Sequence, residues 1–414
     1  MSTILISTIG KQKKNNINTY DELTYRFDQE HEYKGTFFLL ALKQFFNDTN
    51  TRIDKIVLLG TNGSMWDALL ECTDMEDSEL IETLPAAVQN ENVSEKLLKK
   101  LDDALHKSLG VQFICKIIPS GADLDEQAKI LTIIASEVFG KKDHVIMDVT
   151  HGYRSLPMLE LLAVFYLNQA LDVKIDGIYY GARDMGKINE SGQFCAPVIR
   201  LDFILQMQKW LNALPLVTQG GRYDAIAELL TDQEPLQDTL KKLSLAQHLN
   251  QIENAVPEAE RLQELLQHPF ANNPSAELFR QPLLNSIHWI KANELPRQML
   301  LNASIACRQG DYLRSVILVQ EARVSMHLNP EEYHNLQLRG KAKVSLNSCT
   351  EKEDEILDTL RNVLAHATVP DKKNRHLQTV EAIIKDEEAL KGWIEHLIEY
   401  YMEKQKELNE NKDS

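Results

Sequence analysis

Between residues 144 and 171 the chain reads HVIMDVTHGYRSLPMLELLAVFYLNQAL. An apolar run of strand length stops at Asp148-Val149, a short turn dense in polar, basic and glycine residues follows, and an apolar run of helix length begins at Leu156. A strand so uniformly apolar has no face to give to water, so it belongs inside a sheet covered on both sides. A helix that follows at once begins a βαβ crossover, the connection that parallel strands require. The same alternation runs through the first 200 residues. Strand-like runs fall at 4–9, 55–59, 111–118, 144–149 and 173–180, and helical patterns at 37–46, 93–109, 124–138 and from 156. This predicts an α/β domain over residues 1–200, built on a parallel sheet.

After about Arg200 the β signals fade. A helical pattern runs from 201 to 414, interrupted at Pro215, Gly220-Gly221, Pro257, Pro274, Pro296 and Pro330. An all-α second domain is expected, with a boundary near residue 200. A chain of 414 residues is long enough for two ordinary cores.

The apolar runs are too short or too interrupted to cross a bilayer. In MSTILISTIGKQKK the charges follow the apolar segment, whereas a signal peptide has them before it, so a cytoplasmic protein is expected. The five cysteines (Cys72, Cys115, Cys195, Cys307, Cys349) show no C-x-x-C spacing, which predicts neither a disulfide framework nor a zinc site. Net charge is −16. Gripping nucleic acid through its phosphates calls for basic charge. Any such work here needs a local basic patch or a transient contact, which suits an enzyme that cuts and releases better than a packaging protein.

In an open parallel sheet, ligands bind outside the carboxyl ends of the strands. The loops there read STIGK (7–11), GTNGSMW (60–66), PSGAD (119–123), DVTHGYRS (148–155) and YYGARD (179–184). Glycine lets backbone N–H groups approach a ligand, Ser, Thr and Asn add hydrogen bonds, and a helix N-terminus favours an anion. One such loop is an ordinary turn. Five along one sheet edge point to a phosphate-bearing ligand. His151 and Arg154 stand out, since no turn needs them. Neither G-x-G-x-x-G nor G-x-x-x-x-G-K-[ST] occurs, so a dinucleotide or ATP is not the first expectation.

The segment Asp148-Val149-Thr150-His151-Gly152, followed by Arg154-Ser155-Leu156-Pro157, resembles the D-x-T-H-G signature of CRISPR-associated CARF domains. The GTNGS loop and the early S-T-x-G loop resemble the same family. The resemblance implies a Rossmann-like sensor over roughly residues 1–200, usually dimeric. Its ligand would be a cyclic oligoadenylate made by a type III effector complex, lying across the dimer axis. Thr150, His151, Gly152, Arg154 and Ser155 would face it, together with Thr8, Gly10, Thr61, Asn62, Gly63 and Ser64. The tetra-adenylate is expected ahead of the hexa-adenylate.

A second motif lies in EKEDEILDTLRNVLAHATVP. Ile356, Leu360, Val363, Leu364 and Ala367 recur at helical spacing. Asn362 and His366, four apart, share a face, and Arg361 stands to one side. Lys372, Lys373 and Arg375 follow and would attract RNA. The R-x-x-x-x-H spacing alone is weak. It also occurs at Arg26 and His31, amid acidic residues in the first domain, and that match is set aside. The C-terminal one, with Asn after Arg, resembles the R-N-x-x-x-H variant of HEPN ribonuclease domains, which are commonly fused to CARF domains. It implies an α-helical HEPN domain in which two chains build one composite site.

Arg361, Asn362 and His366 would then be the catalytic set, with no metal and no cofactor. RNA brings its own nucleophile, the 2′-hydroxyl. Histidine can act as base or acid near neutral pH, and arginine can stabilise charge on the phosphoryl oxygens. The resulting expectation is an endoribonuclease of type III CRISPR antiviral defence, preferring single-stranded RNA and working as a homodimer or higher oligomer. Two alternatives stay open. The CARF site could cleave its own ligand through Thr150 and His151, or the chain could be a non-catalytic, ligand-responsive module.

Overall fold

The computed structural model describes residues 2–11, 20–71, 77–138, 140, 142–152, 155–189, 192–230, 233–270, 273–346, 351–366 and 376–412. The chain divides into two units, Met1–Leu205 and Gln206–Ser414, close to the boundary expected near 200.

Among the described residues the first unit carries nine strands. They are β1 (Ser2–Ile9), β2 (Leu23–Arg26), β3 (Glu32–Gly35), β4 (Lys55–Gly60), β5 (Gln112–Ile117), β6 (Asp143–Asp148), β7 (Lys174–Gly181), β8 (Lys187–Ile188) and β9 (Phe194–Arg200). The sheet order is β3-β2-β9-β7-β6-β1-β4-β5, with β8 paired to β9. The five neighbouring strands β5, β4, β1, β6 and β7 are all parallel. At one side the sheet turns mixed: β9 runs antiparallel to β7, β2 parallel to β9, and β3 antiparallel to β2. The parallel centre is the part expected from sequence. The edge is not, because LTYR and EYKG are four-residue strands with no apolar run, and FCAPVIR carries Pro197.

Residues alternate between the two faces of the central strands, as the pleat requires. Leu5, Ile56, Leu58 and Ile146 pack with residues of the helices Phe38–Asp48 and Glu95–Leu109. Ile4, Ile6, Val57, Leu59, Val145 and Met147 pack on the other side, with the helices Leu124–Ser136 and Leu156–Ala170. Both faces are thus covered, and the loops at the strand ends are left as the open edge.

Among the described residues the second unit is helical, with one extended core. The helices Leu295–Arg308, Tyr312–Ser325, Lys352–His366 and Glu387–Lys412 form its C-terminal part. Two of the expected interruptions are not breaks. Pro215 lies inside the helix Asp202–Gly220 and Pro257 inside Ile252–Leu265. Each removes one backbone donor, and the buried faces of those helices hold them across the gap. Pro274 and Pro296 sit in first turns, where no donor is needed. No described helix is long and apolar enough to cross a membrane.

Candidate functional site

The parallel register brings three loops to one edge. Ile9 pairs with Gly60 and Ser7 with Asp148, so the chain leaves β1, β4 and β6 side by side. At their centre is Asp148, fully buried. Its carboxylate accepts from Ser7 Oγ at 2.6 Å and from the Thr150 backbone N–H at 2.9 Å. Burial pushes its pKa up to about 6, against the pull of these two partners. Thr150 Oγ1 accepts the Gly181 N–H at 2.8 Å, tying the 149–152 turn to the end of β7. Thr8 Oγ1 donates to the His151 carbonyl. These hydroxyls therefore hold loop to loop.

Two glycines make the close approach possible. A Cβ on Gly10 would lie 2.9 Å from Gly152 N. Gly152 itself has φ +116°, a conformation open to glycine alone, and a Cβ there would meet Leu156 Cδ1 at 2.9 Å. Backbone rather than side chain is thus presented at this point of the edge.

The Thr61–Trp66 loop is braced from within and tied to its neighbour. Thr61 N–H donates to Ser64 Oγ at 2.9 Å, and the indole of buried Trp66 donates to the Thr61 carbonyl at 2.9 Å. Met65 N–H donates to the Gly10 carbonyl at 2.9 Å, which joins this loop to the β1 loop. Asn62 is exposed at its tip, and Gly63 lies under the Lys11–Glu91 ion pair.

The His151 ring stacks on Phe37, with centroids 4.9 Å apart, and its Nε2 accepts the Phe38 backbone N–H at 3.4 Å. Burial, and then the charge of Arg183, push its pKa down to about 4. At neutral pH it is an uncharged member of the wall. Ser155 is exposed at the head of the Leu156–Ala170 helix, and Arg154 lies outside the described residues.

Sequence reasoning passed over three nearby groups. Arg183 and Lys11, in the YYGARD and STIGK loops, bring cations to this edge. Glu160 is fully buried beneath the loops, beside Thr8 and Asp148, and burial first, then the Asp148 charge, hold its pKa well above the carboxylate range. A signal for Glu160 exists in the sequence, since a lone carboxylate within an apolar helical run is out of pattern. A concavity of about 730 Å³ beside Arg183 is lined also by Asp21, Glu22 and Glu71, an acidic wall ill suited to phosphate.

The second candidate site lies on the helix Lys352–His366. Its inward face carries Asp354, Ile356, Leu357, Leu360 and Val363. Asn362 and His366 are exposed on the other side, and Arg361 is half-buried, its guanidinium donating to Asn362 Oδ1 at 3.0 Å. All three stand together at the C-terminal end of the helix. Lys372, Lys373 and Arg375 lie outside the described residues.

The inward face is held by ions. Arg323, from Tyr312–Ser325, pairs with Asp354 at 2.9 Å and donates to Asp358 at 3.2 Å and to the Leu346 carbonyl at 3.0 Å. Tyr401, from Glu387–Lys412, donates to Asp354. None of these contacts is visible in the motif's own sequence, since each joins residues at least 23 apart. Among the described residues no group of His, Cys, Asp and Glu gathers as a metal site.

Residues 4–184 match the family described as CRISPR system endoribonuclease Csx1, CARF domain. The CRISPR-associated protein MJ1674 of Methanocaldococcus jannaschii is 27% identical over 291 residues, which are 64% of this chain and 44% of that protein. The chain thus spans less than half the length of that relative. Among solved structures, Enterococcus italicus Csm6 bound to cyclic hexa-2′-fluoro-hexa-dAMP aligns over 99% of this chain and 100% of that one, at 13% identity and a TM-score of 0.32, a likeness too slight to carry functional weight.

Proposed function

Taking residues 4–184 as the CARF domain of a CRISPR-associated protein, we propose that this chain is a type III CRISPR endoribonuclease switched on by a cyclic oligoadenylate. The observation that carries the reading is the Arg361–Asn362–His366 set, half-buried at Arg361 and exposed at Asn362 and His366, on a helix whose opposite face is locked by Arg323, in the same chain as a CARF-domain match. The activator meets the backbone of Gly10, the tip of the Thr61–Ser64 loop and the Thr150–Ser155 turn. Lys11, Arg154 and Arg183 supply the positive charge that neutral His151 does not. The tetra-adenylate is the favoured ring, ahead of the hexa-adenylate.

His366 takes the proton of the RNA 2′-hydroxyl, or returns one to the leaving 5′-oxygen from the second copy. Arg361 stabilises the phosphoryl oxygens as charge builds, and Asn362 holds the Arg361 fork in place. Products are a 2′,3′-cyclic phosphate or 3′-phosphate and a 5′-hydroxyl. The composite site requires a dimer. Support for one comes from the helix Leu156–Ala170, where Met158, Leu162 and Tyr166, one turn apart, are 75%, 51% and 46% exposed. Ligand binding activates only in so far as the active arrangement binds it more tightly. Cleavage of the activator by the CARF site is not favoured, since His151 is stacked and engaged and Thr150 Oγ1 already accepts a hydrogen bond.

The test is cleavage of a fluorogenic single-stranded RNA in EDTA, with and without cyclic tetra- and hexa-adenylate, for the wild type and His366→Ala. Ligand-dependent cleavage that drops by about 10²–10⁴-fold in the variant is expected. No cleavage with either ring, or full cleavage in the variant, would sink the assignment.

A further inference from the structure

A cleft of about 570 Å³ opens within the helical unit, among residues that no motif singled out. Its volume is that of a small-molecule site. Arg314, Arg308 and His288 line it, with the amides of Gln247 and Asn302, and Val217, Pro282 and Ile305 give it an apolar side. No Asp or Glu is among its lining residues, in a chain of net charge −16.

The guanidinium of Arg314 is held entirely by neutral acceptors. It donates to Gln247 Oε1 and to the Gly220 carbonyl at 3.4 Å, while its Nε is buried without a partner. Asp311 does not neutralise it by contact, because that carboxylate caps the helix by accepting the Arg314 backbone N–H at 3.2 Å. Gln247 is fixed in turn, donating to Asn302 Oδ1 at 3.2 Å, and Asn302 donates to the Gln298 carbonyl at 2.9 Å. Gln247 and Asn302 are 3% and 4% exposed. A half-buried cation with no counterion in contact is costly, and here a rigid amide chain aims it at an open, acid-free cleft. Burial also draws its pKa down, as expected for a charge short of an anion.

We propose that this cleft binds a small organic phosphate of mononucleotide size, its phosphoryl group on Arg314 with Arg308 at the mouth and its ring on the apolar side. The proposal is independent of the activator and RNA sites, since every lining residue falls between 217 and 314.

Calorimetric titration of the full chain in EDTA tests it, with AMP, inorganic phosphate and adenosine as separate probes. AMP should bind at one site per chain, at least tenfold more tightly than adenosine or phosphate alone, and excess cyclic tetra-adenylate should not displace it. Arg314→Gln should weaken AMP at least tenfold. Since Arg314 also ties helices together, Arg308→Ala, at an exposed position, is the second variant and should weaken AMP several-fold with an unchanged melting temperature. The proposal is overturned by no binding at millimolar AMP, by displacement with the cyclic ligand, by phosphate binding as well as AMP, or by affinity unchanged in Arg308→Ala and in folded Arg314→Gln.

Discussion

Arg323 Nε lies 2.9 Å from Asp354 Oδ1, and each side chain is only 2% exposed. The pair joins the helix Tyr312–Ser325 to the one carrying Arg361 and His366. Removing one partner of a buried ion pair strands the other charge, at a cost of about 3–5 kcal/mol. Arg323→Ala should therefore destabilise the helical unit by about that much. Arg323→Lys should recover part of it, since a lysine keeps the charge but cannot reach Asp354, Asp358 and the Leu346 carbonyl together. Denaturant melts, with amide exchange over residues 352–366, give the readout. Unchanged protection of that helix in Arg323→Ala would show that the pair does not hold it.

Gly152→Ala tests the loop edge. Its φ of +116° disfavours any side chain, and the new Cβ would press on Leu156 Cδ1 at 2.9 Å. The backbone strain alone costs about 1–3 kcal/mol. The turn must shift to relieve it, and Gly10, whose own Cβ position is 2.9 Å from Gly152 N, leaves no room in that direction. Cyclic oligoadenylate binding, measured by calorimetry, should fall at least tenfold while the wild-type fold is retained by circular dichroism. Wild-type affinity in this variant would mean that the 150–152 backbone does not meet the ligand.

The parallel centre of the sheet was legible because β1, β4 and β6 are apolar on both faces, so their burial is written in the residues themselves. The strands β2 and β3 were not, since Tyr25 and Tyr33 are buried by packing around Phe38 and Phe27 that no local pattern announces. The site shows the same division. Its loops could be found from glycine and polar residues at strand ends. That Thr8 and Thr150 hold loop to loop, and that His151 is stacked on Phe37, depends on partners 31 to 143 residues away. Asn362 and His366 were read on one face from a spacing of four, whereas the Arg323 anchor behind them needed the tertiary fold.

The exposed Met158, Leu162 and Tyr166 stripe makes a prediction about assembly. Leu162→Glu puts a charge in its middle without touching the buried face of that helix, which carries Leu156, Ala163, Val164 and Leu167. Stability of the monomer should change by less than about 0.5 kcal/mol, as for an ordinary surface substitution. Sedimentation should shift from dimer to monomer, and ligand-dependent RNA cleavage should be lost with it. A variant that still sediments as the wild type does would place any dimer contact elsewhere.

Two groups of the loop edge, buried Asp148 and half-buried His151, pull stability in opposite directions as pH changes. Asp148 has a native pKa of about 6, against about 3.9 unfolded, so between these values the native state holds the extra proton. Stability from this group is greatest below the window and falls as pH rises through it, by up to about 3 kcal/mol. His151 has a native pKa of about 4, against about 6.5 unfolded, so the unfolded state holds the extra proton. Its contribution falls as pH drops through that window, by a similar amount. Differences between each variant and the wild type isolate one group from the rest. From pH 6 to pH 4 the wild type should gain on Asp148→Asn, and from pH 6.5 to pH 4 it should lose ground to His151→Gln. Glu160, whose pKa burial holds well above the ordinary carboxylate value, adds a slope of the same sign as Asp148, so the wild type should lose ground to Glu160→Gln as pH rises. Denaturant melts at half-unit intervals from pH 4 to 8 read all three, and slopes of the opposite sign would mean that the carboxyls are hydrated or the imidazole is charged in the native state.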